Sequence, residues 1–232
     1  MPDRQSDAPA PEYRSATHPW RDLLWRWSEE WLDPVLHEQE RHQPFPDEVR
    51  AARWLGSAGA TPEELAALEA RLGAVLPPSY REFLQTSDGW LDTTTSVRRL
   101  LPARETGWLN DLDPELIDLS SGGREPDDVP DEHYFVYGDD QDPCAIRTEY
   151  LTDMLKISHT PEAPDVYLLN PRIVTPDGEW EAWYLGSLVW IMPGSRGLAR
   201  TLAALSSVAM APPCLPPPPC DRTHQTPLPD PA

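Results

Sequence analysis

The sequence predicts an α+β domain with a mainly antiparallel sheet flanked by helices. Three observations support this class. Helical patterns fill the first part of the chain, strand patterns occupy residues 134–185, and a last helical pattern follows at residues 198–208. Helices and strands that are segregated along a chain, rather than alternating, are typical of α+β folds.

Composition divides the chain into four segments. Residues 1–17 are expected to be a disordered lead, and residues 18–45 a Trp-rich helical extension. The main domain is expected at residues 46–210. Residues 211–232 contain nine prolines in 22 residues and predict an extended, disordered tail.

The helical extension carries one aromatic stripe. Trp20, Leu24, Trp27 and Trp31 recur at helical spacing, which places them on one face. Pro34 is expected to end or kink the helix. Two interpretations stay open: the stripe packs on the main domain, or it is a docking face for a partner helix.

Three further helices follow. A short one is predicted from Pro46 to Leu55, stopped by Gly56. The next has the clearest local signal, because Thr61 and Glu64 form a capping box around Pro62 at its first position. Its apolar face is formed by Leu65, Leu68 and Leu72, and Gly73 ends it. The helix after it has an apolar face formed by Tyr80, Phe83 and Leu84.

Three strands are predicted downstream. Residues 134–137 read as a strand inside an acidic stretch, and residues 166–169 and 180–185 read as two more. Asp177-Gly178, just before the last of these, is a strong hairpin-turn signal. The strands are therefore expected to pair antiparallel.

The formal net charge is −20. A field of this sign repels phosphate backbones and argues against direct nucleic-acid binding, whereas it attracts a basic partner. The strongest concentration lies at residues 105–142, with thirteen Asp or Glu and one Arg. The alternative is that the acidity only keeps the protein dispersed.

Cysteine usage and hydropathy indicate the compartment. Three cysteines do not make a disulfide framework. No apolar run approaches the roughly 20 residues of a membrane span, and residues 1–10 lack the apolar segment of a signal peptide. We expect a cytoplasmic protein that does not bind membranes.

Two carboxylates are the only candidates for acid–base catalysis. Glu179 and Glu181 are two residues apart, so on a strand they share one face. Carboxylates this close and parallel do not flank a scissile bond in the usual way. A solvated acidic face, or a contact face for a basic partner, is the better interpretation.

Metal-binding patterns are incomplete. Residues 37–42 imitate a zincin helix, but the second His comes one residue too late for the same face. Asp139, Asp140 and Asp142 could hold calcium in a loop, yet the twelve-residue EF-hand pattern is absent. Cys144 has no base fixed beside it by sequence. We expect neither a metal nor a cofactor.

Three runs carry a resemblance to a known family. Residues 59–81 combine a capped helix, a Leu-Pro turn and the start of a second helix. Residues 87–90 read Ser-Asp-Gly-Trp, and residues 178–184 read Gly-Glu-Trp-Glu-Ala-Trp-Tyr. In this order they resemble the SUKH (Smi/Knr) family over roughly residues 50–205.

The resemblance implies an α+β fold and a protein-binding role without catalytic residues. Bacterial relatives include immunity proteins that neutralise toxins, and fungal relatives act in cell-wall assembly signalling. The end of the chain departs from the family pattern, because residues 197–202 stand where a basic-aromatic motif is expected.

The leading hypothesis is a non-catalytic domain that binds a protein partner, a basic toxin domain in the case of an immunity protein. The expected partner contacts are Trp108, Asp139, Asp140, Asp142, Glu179 and Glu181. A regulatory scaffold that uses the Trp stripe and the tail is one alternative, and a hydrolase that uses Glu179 or Glu181 is another. The oligomeric state stays open.

Overall fold

The computed structural model describes residues 20–33, 45–91, 97–121, 129–136, 147–161, 165–186 and 191–194, the last four for their backbone only. The predicted lead, the predicted helix at residues 198–208 and the Pro-rich tail lie outside these residues. The described part contains two antiparallel sheets and a set of flanking helices, which confirms the predicted fold class.

Seven α-helices and one 3₁₀ helix, η1, are present in the described ranges. They are α1 (Trp20–Leu32), α2 (Asp47–Ala52), α3 (Pro62–Leu72), α4 (Pro78–Thr86), α5 (Leu109–Leu112), α6 (Pro114–Ser121), α7 (Asp131–Tyr134) and η1 (Thr148–Asp153).

The strands form a small and a larger sheet. They are β1 (Trp90–Leu91), β2 (Arg99–Leu100), β3 (Gly107–Trp108), β4 (Leu155–Lys156), β5 (Ser158–His159), β6 (Val166–Val174), β7 (Trp180–Leu185) and β8 (Ile191–Gly194). The order is β1-β2-β5 in the three-stranded sheet and β3-β4-β6-β7-β8 in the five-stranded one, with every pair antiparallel.

The five-stranded sheet separates two apolar clusters. Tyr167 and Leu169 of β6 join one cluster, while Val166 and Leu168 join the other. This alternation follows from the two-residue period of a strand. Burial on both faces also explains why the first five residues of β6 and nearly all of β7 are buried without alternation.

We call the helices on one side, α1–α4, the first layer, and those on the other, α5–α7 and η1, the acidic layer. The first layer packs its apolar faces together with the small sheet. The acidic layer covers the opposite side of the larger sheet with a smaller cluster.

The local signals of the first layer are confirmed. The Thr61 hydroxyl accepts from the backbone N–H of Glu64, and the Glu64 carboxylate accepts from the backbone N–H of Thr61. Gly73 ends α3 with φ 66°, a left-handed conformation that favours glycine. The short helix near residue 50 also exists, but Arg53 ends it rather than Gly56.

Two strand predictions are confirmed and one is wrong. Residues 166–169 and 180–185 are strands, and the turn before β7 has Gly178 at φ 87°. Residues 131–134 instead form the short helix α7, with a turn at Phe135. Three aromatic residues and a valine in four positions suggested a strand, but Pro130 opens a helical turn and the buried Tyr134 anchors it.

Candidate functional site

Glu179 is a structural cap. It precedes β7, is 3% exposed, and accepts hydrogen bonds from the Ser79 backbone N–H at 2.9 Å and the Ser79 hydroxyl at 2.6 Å. Ser79 lies in the first turn of α4, and Pro77, at the N-cap, offers no capping side chain. Glu179 therefore caps this helix from 100 residues away.

Burial raises the pKa of the Glu179 carboxyl above its ordinary value, and the hydrogen bonds from Ser79 oppose that rise. Asp177 and Glu82 add a smaller repulsion in the same direction as burial. A desolvated carboxylate is stable here because two donors satisfy it.

Glu181 holds a different part of the molecule. Its Oε2 atom accepts from the Tyr134 hydroxyl at 2.7 Å, the Asn170 side-chain amide at 2.9 Å and the Trp183 indole N–H at 2.8 Å. The residue is 1% exposed. These contacts tie α7 of the acidic layer to β6 and β7.

The expectation of a solvated acidic face at Glu179 and Glu181 is therefore wrong. Both carboxylates are buried, and each is held by its own set of donors. Strand alternation alone could not show this, because helices cover both sides of β7. Neither side chain is presented to a partner or a substrate in this structure.

The other expected contact residues have mixed outcomes. Trp108 is half-buried and stacks on Trp180, with ring centroids 6.3 Å apart. It lies at the end of β3 directly before α5, beside the acidic layer. Asp139, Asp140 and Asp142 lie outside the described residues, as does Cys144, so their role stays a prediction.

The Trp stripe of α1 packs into the first layer. Trp20, Leu24, Trp27 and Trp31 all belong to its core cluster, and Trp27 lies 6.5 Å from Trp90 between ring centroids. The first of the two interpretations is confirmed. The stripe therefore offers no docking face for a scaffold role.

The acidic layer presents the most distinctive exposed surface in the described ranges. Helix α6 buries Leu116 and turns Glu115, Asp118 and Leu119 outward. These three are spaced three and four residues apart, so they share one helical face. Leu119 is 68% exposed, which is unusual for a large apolar side chain.

Neighbouring elements extend this surface. Asp111 and Leu112 of α5 are exposed, as are Asp131, Glu132 and Phe135 in and after α7. We call the exposed set the acidic face: Asp111, Leu112, Glu115, Asp118, Leu119, Asp131, Glu132 and Phe135. It combines carboxylates with three large apolar side chains.

Two largely buried cations pair with acidic residues of this layer, Lys156 from the sheet and Arg147 from the position before η1. Lys156 of β4 pairs with Asp113 at 2.6 Å, and Arg147 pairs with Asp131 at 2.5 Å. The Arg147 guanidinium also lies 4.5 Å from the centre of the Tyr134 ring. Hydrogen bonding to Asp131 and Tyr150 raises the pKa of Arg147 despite its desolvation, so it stays charged.

A groove of about 470 Å³ lies on the other side of the molecule. Leu55, Trp90 and Leu100 are among its apolar lining residues, with Arg99 and Arg104 at charged positions. Both arginines pair with Glu105. Because its charges are matched internally, the groove has no clear preference for a charged ligand.

Sequence reasoning found the acidic region but not the residues that form the face. Acidic density at residues 105–142 was the useful signal. The helical spacing of Leu112, Glu115 and Leu119 indicates the exposed side, whereas Asp and Pro residues in the same stretch are typical of loops. Pro114 instead occupies the first position of α6.

The described ranges show neither a metal-binding cluster nor a membrane-spanning helix. Within them, no group of three or more His, Cys, Asp or Glu side chains could hold a metal ion. The helices in the same ranges are too short or too polar to cross a bilayer.

No curated protein and no solved structure matches the chain. Residues 59–190, more than half of its 232 residues, match the model of the SMI1 / KNR4 family (SUKH-1). The match begins just before the capped helix α3 and ends just before β8, so it covers α3 and α4 of the first layer, the acidic layer, the three-stranded sheet and all but β8 of the five-stranded one. The chain belongs to the SMI1 / KNR4 family (SUKH-1).

Proposed function

We propose that this chain is a non-catalytic protein-binding domain that neutralises a cognate toxin domain by covering a basic surface of it. The observation that carries the proposal is the acidic face, where Leu112, Leu119 and Phe135 are exposed on or beside the short helices that carry the exposed carboxylates. The family includes toxin-immunity proteins, which supports the same role. We place its action in the cytoplasm, as the sequence predicts.

The charge distribution supports a basic partner. The described residues 109–121, 129–136 and 147–153 carry eight Asp or Glu against one Arg. Such a concentrated field speeds the encounter with a positively charged surface and orients it. Charge alone gives little affinity at an exposed rim, because solvent and salt screen it.

The exposed apolar residues supply the affinity that exposed charges alone do not. Burying a large side chain of this kind contributes about 1.5–3 kcal/mol relative to leaving it in water. Apolar anchors surrounded by charged residues match the arrangement of a protein interface with a central apolar patch and a polar rim. We infer that Leu112 and Leu119 are anchors and that Asp111, Glu115 and Asp118 form the rim.

A capture experiment with matched variants tests the proposal. The acidic-face variant carries Asp111→Asn, Glu115→Gln and Asp118→Asn. The control carries Asp22→Asn, Glu48→Gln and Glu63→Gln, which are three exposed carboxylates of the first layer. Each tagged protein is incubated with lysate of the source cells at low and high salt, and retained proteins are quantified by mass spectrometry.

The expected result is one basic protein that the wild type and the control retain and the acidic-face variant loses, by at least about tenfold. Raising the salt concentration should reduce its retention. Equal loss in both variants would show that only overall charge matters. Unchanged retention in the acidic-face variant would remove the acidic face as the binding surface.

A further inference from the structure

Helix α7 is too short to hold its own position. It has four residues, and its internal hydrogen bonds are those of a single turn, from the amides of His133, Tyr134 and Phe135. An isolated turn of this length is unstable in water, because nucleation fixes several residues for one hydrogen bond. Its place on the acidic face must therefore come from side-chain anchors.

Two buried groups supply those anchors. From the sheet, Glu181 accepts from the Tyr134 hydroxyl at 2.7 Å. From the other side, Arg147 donates to the Val129 carbonyl at 3.1 and 2.6 Å and to the Asp131 carboxylate at 2.5 Å. The Arg147 guanidinium also stacks on the Tyr134 ring at 4.5 Å, a favourable cation–π geometry.

The structure assigns Glu181 and Arg147 the role of positioning residues, which hold residues 129–136 so that Asp131, Glu132 and Phe135 remain part of the acidic face. The expected effect of these two residues on binding rests on the proposed function, whereas their expected effect on the position of α7 does not. Neither side chain is presented to a partner, since Glu181 is fully buried and the Arg147 side chain is 14% exposed.

The charge of Glu181 is central to this role. A single oxygen, Oε2, accepts from three donors: the Tyr134 hydroxyl, the Asn170 amide and the Trp183 indole. A carboxylate oxygen serves several donors better than a neutral amide oxygen does, because hydrogen bonds to an ionised acceptor are stronger. Glu181→Gln should therefore weaken the anchor even though it preserves the shape.

Removing one hydroxyl tests the assignment. Tyr134→Phe removes the hydroxyl that donates to Glu181 and keeps the ring. The matched control is Tyr80→Phe, which deletes an equally buried hydroxyl that pairs with Thr106 Oγ1 at 2.9 Å in the first layer. Amide hydrogen exchange is followed by mass spectrometry on peptides that cover residues 129–136 and on peptides of α3 and α4.

Tyr134→Phe should speed exchange at residues 133–135 roughly 5- to 30-fold and leave α3 and α4 unchanged. Glu181→Gln should act at the same residues, and Tyr80→Phe should not. Unchanged exchange at residues 133–135 in Tyr134→Phe, or faster exchange spread equally over both layers, would overturn the assignment.

A binding readout separates the anchor from the proposed function. Tyr134→Phe should also lower retention of the basic protein that the wild type captures. If exchange rises as expected but retention stays at the wild-type level, Glu181 and Arg147 hold α7, but the claim that Asp131, Glu132 and Phe135 belong to the binding surface is refuted. In that case the acidic-face variant, which carries Asp111→Asn, Glu115→Gln and Asp118→Asn, still decides whether the proposed function stands.

Discussion

The two helical layers on either side of the larger sheet differ in charge and in how they treat apolar side chains. The described residues 20–33 and 45–91, which contain the first layer, carry eleven acidic and six basic residues. The much shorter acidic layer carries eight acidic residues and one basic residue. The first layer exposes Trp25 and Val75 on separate elements, whereas the acidic layer exposes Leu112 and Leu119 on two consecutive helices that also carry exposed carboxylates.

With the proposed function, this difference assigns fold stability mainly to the first layer and partner binding to the acidic layer. The capping box of α3, the left-handed Gly73 and an aromatic core stabilise the first layer, so substitutions there should reduce the free energy of unfolding. The acidic layer has a smaller core, and its outer surface contributes little to folding. Substitutions on that surface should affect binding more than stability.

The largest expected effect concerns α1, which precedes the family-matched region. Trp27→Ala should lower the free energy of unfolding by about 3–5 kcal/mol, because it removes a buried indole that packs near Trp90. Trp25→Ala on the same helix, where the side chain is 45% exposed, should cost less than about 1 kcal/mol. Urea unfolding measures both; equal effects would mean that α1 is not integral to the core.

The next effect concerns the close approach of residue 59 to α4. A Cβ at Gly59 would lie 1.8 Å from the Gln85 carbonyl oxygen, where the Ala60 N–H already donates to Leu84 at 2.8 Å. Gly59→Ala should destabilise the protein by about 2–3 kcal/mol. Gly73→Ala meets no atom within 4 Å and should cost about 1 kcal/mol through its positive φ alone. Thermal unfolding gives the ranking, and the reverse order would contradict this packing.

Glu179 links both halves of the chain and gives a pH-dependent test. Glu179→Ala should cost about 1–2 kcal/mol, because the first turn of α4 loses its cap. Burial raises the folded-state pKa of Glu179, so the folded protein binds this proton more tightly than the unfolded chain. The Glu179 contribution is therefore largest below the ordinary carboxyl pKa and falls as the pH rises through the folded-state pKa.

Glu179→Gln should flatten that part of the stability–pH curve, since the amide cannot titrate but still offers an acceptor to the Ser79 N–H. Urea unfolding at several pH values between 4 and 7 measures the slope. An unchanged slope would show that Glu179 titrates alike in the folded and unfolded states.

Local signals predicted much of the first layer. The residues from Thr61 to Gly73 contain their own cap, apolar face and terminator, and the structure follows them closely. The roles of Glu179 and Glu181 could not be read this way, because their partners lie 100 and 47 residues away. Burial on both faces of β7 depends on helices from two separate parts of the sequence, residues 20–86 and 109–153, so strand alternation could not reveal it.

The sequence predicted the negative charge of the acidic layer but not its helices. Its elements are four to eight residues long, and side-chain anchors from η1 and the sheet hold them rather than helical propensity. The aromatic run at Tyr134 therefore suggested a strand, although tertiary contacts select a helical turn. Acidic density located the surface, and only the structure identified which carboxylates and which leucines face outward.

One matched pair tests the division between the layers most directly. Leu119 is 68% exposed on the acidic face, and Val75 is 77% exposed in the first layer. Leu119→Ser and Val75→Ser should both change the free energy of unfolding by less than about 0.5 kcal/mol. Only Leu119→Ser should weaken binding of the captured basic protein, by roughly tenfold or more. Equal binding by the two variants, or a loss confined to Val75→Ser, would contradict the assignment of the acidic face as the binding surface.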